Sequence, residues 1–151
     1  MIIKICGIKN TEDAIAAIDL GADMLGYNFY PKSKRYISIK ECVEIQNGLA
    51  KRGMDVISVG VFVNASYETI IDTMDVCALN LVQLHGDEAP ELLEKLGEWA
   101  FKAIRPQSVE EALKTPAREL ISAARRPATT KPRTPMGRML VTNRGDRKSV
   151  V

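Results

Sequence analysis

Histidine and tryptophan are almost missing from this 151-residue chain, with one of each, and aromatic residues make up only 5% of it. One imidazole, His85, is too few for a histidine-based zinc site. The three cysteines, Cys6, Cys42 and Cys77, stand at neither metal-ligand nor redox-motif spacing, so no metal is expected. An odd number of scattered thiols argues against a disulfide framework and suits a reducing compartment. No apolar run approaches the length of a membrane span, and the amino terminus opens on strand-like sequence without a secretory signal pattern. A cytoplasmic location without a membrane partner is therefore expected. The Gly-rich dinucleotide fingerprint is absent too: after the first apolar run stands Cys6-Gly7-Ile8-Lys9-Asn10.

Charge is unevenly divided. Residues 1–116 hold 12 Lys/Arg against 17 Asp/Glu, whereas residues 117–151 hold 9 against 2, with Pro127, Pro132 and Pro135 among them. A shift this abrupt marks a boundary between an α/β part and an irregular, basic Pro/Arg-rich tail, for which disorder is expected. No aromatic residue follows Phe101, so the tail offers electrostatic attraction without a base-stacking platform, and no specific nucleic-acid partner is expected.

The first part is a repeated strand-then-helix pattern. Apolar runs at residues 2–5, 24–29, 56–63, 79–84 and 100–104 are each followed by a helical pattern, at the spacing of βα units. Helix starts are signalled by Asn10, by Ser38 with Glu41 three residues on, by Ser66, and by Ser108 with Glu111; Gly21 and Gly97 mark helix stops. Strands apolar on both faces fit a parallel sheet covered by helices. Cys6, Asn28, Asn64, Gln83, His85 and Arg105 then fall at or just after strand ends, on one rim. In a (β/α) barrel that rim carries the active site. Periodicity alone leaves a doubly wound open sheet as the alternative.

The segments Lys4-Ile5-Cys6-Gly7-Ile8, Gly21-Ala22-Asp23, Phe29-Tyr30-Pro31-Lys32-Ser33-Lys34-Arg35-Tyr36-Ile37-Ser38, Val59-Gly60-Val61-Phe62-Val63-Asn64 and Val82-Gln83-Leu84-His85-Gly86-Asp87-Glu88 occur in order at βα spacing. Together they resemble the phosphoribosylanthranilate isomerases of tryptophan biosynthesis, over residues 1 to about 115. The resemblance implies a (βα)8 TIM barrel, here an incomplete one of about five βα units, and a small phosphosugar substrate. It implies an Amadori rearrangement of N-(5-phosphoribosyl)anthranilate, in which an acid opens the ribose ring and a base removes the proton from the adjacent carbon. The substrate's anilino nitrogen is the electron sink, so no cofactor is implied.

In the family the cysteine of the first strand is the base, which here is Cys6. A thiol with an ordinary pKa near 8.5 is only a few per cent ionised at neutral pH, and a nearby cation raises that fraction. Lys4, on the same face of the strand, stands either as that cation or as an interior packing residue. By resemblance Arg35 grips the anthranilate carboxylate through a two-pronged contact, and Gly7, Asn64, Gln83 and His85 join it around the substrate. The residues alone leave His85 between a structural and a pocket role; the resemblance points to the pocket. Cys42 and Cys77 fall in helical stretches and read as buried structural thiols.

The departures begin after Arg105. The family continues with a strand ending in an aspartate, the general acid, yet no aspartate occurs here between Asp87 and Asp146. The phosphate loops of the later strands have no counterpart either. The favoured reading is an isomerase sequence whose carboxyl-terminal part is lost or out of frame from about residue 117, and inactive as written. Its rivals are a phosphosugar or polyanion binding protein with a basic tail, and a half-barrel that pairs with another copy. Unclosed sheet edges favour self-association in each case.

Overall fold

The computed structural model describes residues 1–103 and Glu110. Arg105, the helix start at Ser108 with Glu111, and everything expected of residues 117–151 lie outside the described residues. Within them the chain runs β1 (Lys4–Cys6), α1 (Thr11–Asp19), β2 (Met24–Asn28), α2 (Ile39–Lys51), β3 (Ile57–Phe62), α3 (Tyr67–Cys77), β4 (Leu81–Leu84), α4 (Pro90–Leu96), a 3-10 turn at Gly97–Trp99, and β5 (Ala100–Lys102).

Every strand pairs in parallel with the one before it, giving the order β1-β2-β3-β4-β5. A doubly wound sheet reverses direction at a switch point; this one never does, and its single sense of winding is that of a barrel wall. No helix among the described residues is long and apolar enough to cross a membrane.

Side chains alternate across the strands and bury on both faces. Leu25, Tyr27, Phe62, Val82, Leu84 and Ala100 face the helices and pack with Ala14, Ala17, Ile45, Leu49, Ile70 and Met74. On the opposite face Met24, Val59 and Leu81 form a second cluster with Ile57 and Phe101. That second cluster is a layer of barrel interior, and it floors the rim above it.

Local chemistry sets the helix ends. Asn10 caps α1 by accepting the Asp13 N–H at 2.7 Å. Ser38 and Glu41 form a reciprocal capping box at the start of α2, and the Ser38 hydrogen bonds hold the Glu41 carboxyl below the usual carboxylate range. Ser66 caps α3.

Strand boundaries differ from the sequence expectation, β2 running Met24–Asn28 against residues 24–29 and β3 Ile57–Phe62 against residues 56–63. β1 spans Lys4–Cys6 because the carbonyl of Ile3 is already taken by the Asp23 and Met24 N–H groups entering β2. α3 ends on Ala78 in the left-handed conformation (φ 51°), with the Leu79 N–H returned to the Met74 carbonyl, so β4 starts at Leu81 and not at Leu79. β5 is described as far as Lys102.

Candidate active site

The carboxyl ends of the strands gather the side chains singled out on the rim. Cys6 is the last residue of β1 and is exposed; Gly7 follows it with φ +87°, a left-handed conformation that glycine adopts without strain. Gly7 is also crowded from above. A Cβ placed there would lie 2.5 Å from Cδ and 3.2 Å from Nη1 of Arg35, so the arginine side chain lies directly across the glycine. Its Nη1 donates to the Cys6 carbonyl at 3.3 Å.

Arg35 is delivered there by a turn and not by a loose basic loop. The Asn28 side chain accepts the Tyr30 N–H at 2.9 Å and donates to Ser33 Oγ at 3.1 Å, and that same hydroxyl accepts the Arg35 N–H at 3.1 Å. The turn closes where the Ile37 N–H donates to the Asn28 carbonyl at 2.9 Å. Asn28 and Ser33 thus position the guanidinium, a role the sequence reading did not assign. The signal was there in Asn at position i with its side chain aimed at residue i+2.

Lys4 shares the inner face of β1 with Cys6, and its ammonium donates to Gln83 Oε1 at 2.8 Å across the intervening strands. It crosses over Gly26 of β2. A Cβ at Gly26 would lie 2.8 Å from Cys6 Sγ and 2.9 Å from Lys4 Nζ. Thiol and ammonium are therefore within about 6 Å of each other, a range over which a cation and an anion attract usefully. Gly26 was missed from sequence, although a glycine inside a strand is the usual mark of close approach. The far end of the Gln83 amide, Nε2, lies 2.9 Å from His85 Nδ1, and the His85 backbone N–H donates to the Phe62 carbonyl at 2.8 Å.

The neighbouring part of the rim is held by charge. Glu88 accepts from the backbone N–H groups of Gly86 (3.0 Å) and Asn64 (2.9 Å) and pairs with Lys102, whose ammonium also donates to the Gly86 carbonyl at 2.6 Å. Asn64, left-handed at φ 53°, accepts the Asp87 N–H at 2.8 Å through Oδ1. Burial would raise the Glu88 carboxyl, but the Lys102 ammonium and the backbone donors outweigh it and hold it below the usual carboxylate range. Its side chain is 2% exposed. Held there, Glu88 is an anion at neutral pH and not a proton donor.

The other two thiols lie on the far side of the sheet. Cys42 of α2 and Cys77 of α3 are buried, and the Cys42 thiol is pushed up by its hydrogen bond to Cys77 and by burial. Tyr27, beside them, is pushed up by burial. Neither faces the rim. Among the described residues no three His, Cys, Asp or Glu side chains are grouped so as to hold a metal ion.

A singly wound parallel β/α wall with a thiol, a guanidinium and an imidazole at its carboxyl end is the wall of a (βα) barrel. A family model described as N-(5'-phosphoribosyl)anthranilate (PRA) isomerase matches residues 3–125. The chain belongs to that family. It is 49% identical over 96 residues to the N-(5'-phosphoribosyl)anthranilate isomerase of Thermotoga neapolitana, covering 64% of this chain and 45% of that protein. The crystal structure of the Thermotoga maritima phosphoribosyl anthranilate isomerase superposes with a TM-score of 0.68 at 43% identity, over 75% of this chain and 55% of that one. A phosphoribosyl anthranilate isomerase in complex with reduced 1-(o-carboxyphenylamino)-1-deoxyribulose 5-phosphate matches with a TM-score of 0.67 at 43% identity, over 75% and 58%. The chain spans about half the length of the curated relatives it matches.

Proposed function

We propose that residues 1–103 supply the proton-abstracting and carboxylate-binding part of an isomerase acting on N-(5-phosphoribosyl)anthranilate, in the tryptophan pathway. The observation that carries this reading is Arg35 lying across Gly7 with its guanidinium on the Cys6 carbonyl. Base and carboxylate binder, 29 residues apart in sequence, are thereby held side by side.

In the proposed reaction a proton donor protonates the ribose ring oxygen, the C1–O bond breaks, and the anilino nitrogen lone pair forms the iminium. The Cys6 thiolate takes the proton from C2, its electron pair neutralises the iminium, and the resulting enol-enamine relaxes to the ketone. Lys4 places positive charge beside the thiolate, and Arg35 holds the anthranilate carboxylate by two parallel hydrogen bonds. Gly7, Asn64, Gln83 and His85 complete the substrate's surroundings at this rim. Glu88 is committed to Lys102, so the ring-opening proton comes from another group.

An odd number of thiols set on separate elements, Cys6 on β1, Cys42 on α2 and Cys77 on α3, suits a reducing compartment such as the cytoplasm. Ile2 and Ile3 ahead of β1 and Ile5 within it are exposed, and this apolar edge supports self-association at high concentration.

The test is a hybrid barrel in which residues 1–103 replace the matching part of the Thermotoga maritima isomerase. We expect the hybrid to convert N-(5-phosphoribosyl)anthranilate, and Arg35→Lys in it to raise KM for this substrate more than for an analogue without the carboxylate. Equal effects on both would show that Arg35 does not read that group, and a folded, inactive hybrid would overturn the functional reading.

A further inference from the structure

We propose that Lys4 and Gln83 are positioning residues that fix the tautomer of His85, keeping its proton on Nε2. An ammonium has three donors and no acceptor, so the Gln83 atom 2.8 Å from Lys4 Nζ is the carbonyl oxygen. This settles an orientation that the shape of the amide alone leaves open. The other end of the amide is then an NH2 donor, and it faces His85 Nδ1 at 2.9 Å.

A donor at that distance requires a lone pair on Nδ1. The ring proton is therefore on Nε2. Turning the amide over would set NH2 against the ammonium and its carbonyl against Nδ1, which would call for a proton there and cost the contact to Lys4. Charge at one end of the chain thus selects the tautomer at the other, and a charged donor polarises the amide in the sense that strengthens the second bond.

The architecture keeps the chain in place. Gln83 lies on β4 and His85 directly after it, two residues on and so of the same alternation, with the His85 backbone tied to β3 through the Phe62 carbonyl. Lys4 comes from β1, 79 residues earlier, and reaches Gln83 only because Gly26 leaves room for it to pass. The consequence for chemistry is that Nε2 of His85 is a hydrogen-bond donor, not a base. The value of that donor to turnover rests on the isomerase reading; the tautomer does not.

His85 is the only histidine, so one set of imidazole signals reports on it. The experiment is two-bond nitrogen–proton correlation NMR of the 15N-labelled 151-residue chain, at a pH where the ring is neutral. Free imidazole side chains already lean toward Nε2–H, so the variants decide. The wild type should show Nε2–H. Lys4→Met should lower the Nε2–H to Nδ1–H ratio by on the order of tenfold, the worth of one ordinary hydrogen bond. Lys4→Arg, also a pure donor, should restore it. Gln83→Glu, whose carboxylate only accepts, should turn the ring to Nδ1–H.

Nδ1–H in the wild type, an unchanged ratio in folded Lys4→Met, or Nε2–H retained in Gln83→Glu would each overturn the proposal. Should Lys4→Met fail to fold, the wild type and Gln83→Glu still decide it. Expected spectra alongside an inactive hybrid barrel would count against the isomerase reading and leave the tautomer standing.

Discussion

Cys6 and Gly26 show how much of this site depends on one missing methyl group. A Cβ at Gly26 would meet Cys6 Sγ, Lys4 Nζ and the Cys6 Cα at 2.8, 2.9 and 3.1 Å. The lysine end can swing away, but the Cα is backbone and cannot. Gly26→Ala should therefore destabilise the fold by about 1–3 kcal/mol through overpacking. It should also break the Lys4 contact to Gln83, so denaturant melts and the His85 tautomer should change together. An unchanged melt would mean that the rim yields more easily than its packing suggests. The thiol itself carries a second expectation. In an active barrel Cys6→Ser should lower kcat by about a hundred- to ten-thousand-fold with little change in KM, because a hydroxyl is far too weak a base to replace a thiolate.

Among the elements, the loops after β3 and β4 are joined to β5 through the Glu88–Lys102 pair. Glu88→Gln removes the charge opposite the Lys102 ammonium and puts an amide NH2 in place of one acceptor oxygen, so it should cost about 1–3 kcal/mol at neutral pH. The pH dependence has a definite sign. Glu88 is held below its ordinary range in the folded state, so its contribution is fully present above the unfolded carboxyl pKa, near 4.3, and is lost as pH falls through the folded value. Thermal melts of wild type and Glu88→Gln should thus differ at pH 7 and converge as pH falls below the ordinary carboxylate range; a gap that stays constant would contradict the pairing. The elements also show what can be read without a structure. Asn10, Ser38 and Ser66 announce their helices because a cap is a local event, complete within four residues. α3 stops at Ala78, where no glycine signals a left-handed cap, and α4 starts behind Ala89 without a side-chain cap, on Pro90 alone. The rim positions of Cys6, Arg35, Gln83 and His85 follow from strand spacing. Their connections do not: Lys4 to Gln83 spans 79 residues, and Asn64 to Glu88 spans 24. Such contacts arise from the winding of the sheet, which no local pattern encodes.

At the scale of the whole molecule, five parallel strands wound in one sense supply one wall of a barrel and one part of its mouth. The described wall holds a base and a carboxylate binder, whereas its buried carboxylate, Glu88, is already an anion. With no aspartate between Asp87 and Asp146, the 151-residue chain is expected not to support growth of a tryptophan auxotroph lacking this isomerase. Growth would point to an acid elsewhere, with Asp87 and Asp146 the first to mutate. The most direct test of the central claim, that this wall is a working isomerase wall with Cys6 as its base, is the same complementation with the hybrid barrel carrying residues 1–103, beside its Cys6→Ser variant. Growth is expected with the hybrid and none with Cys6→Ser at equal protein level. Equal growth with both would contradict it.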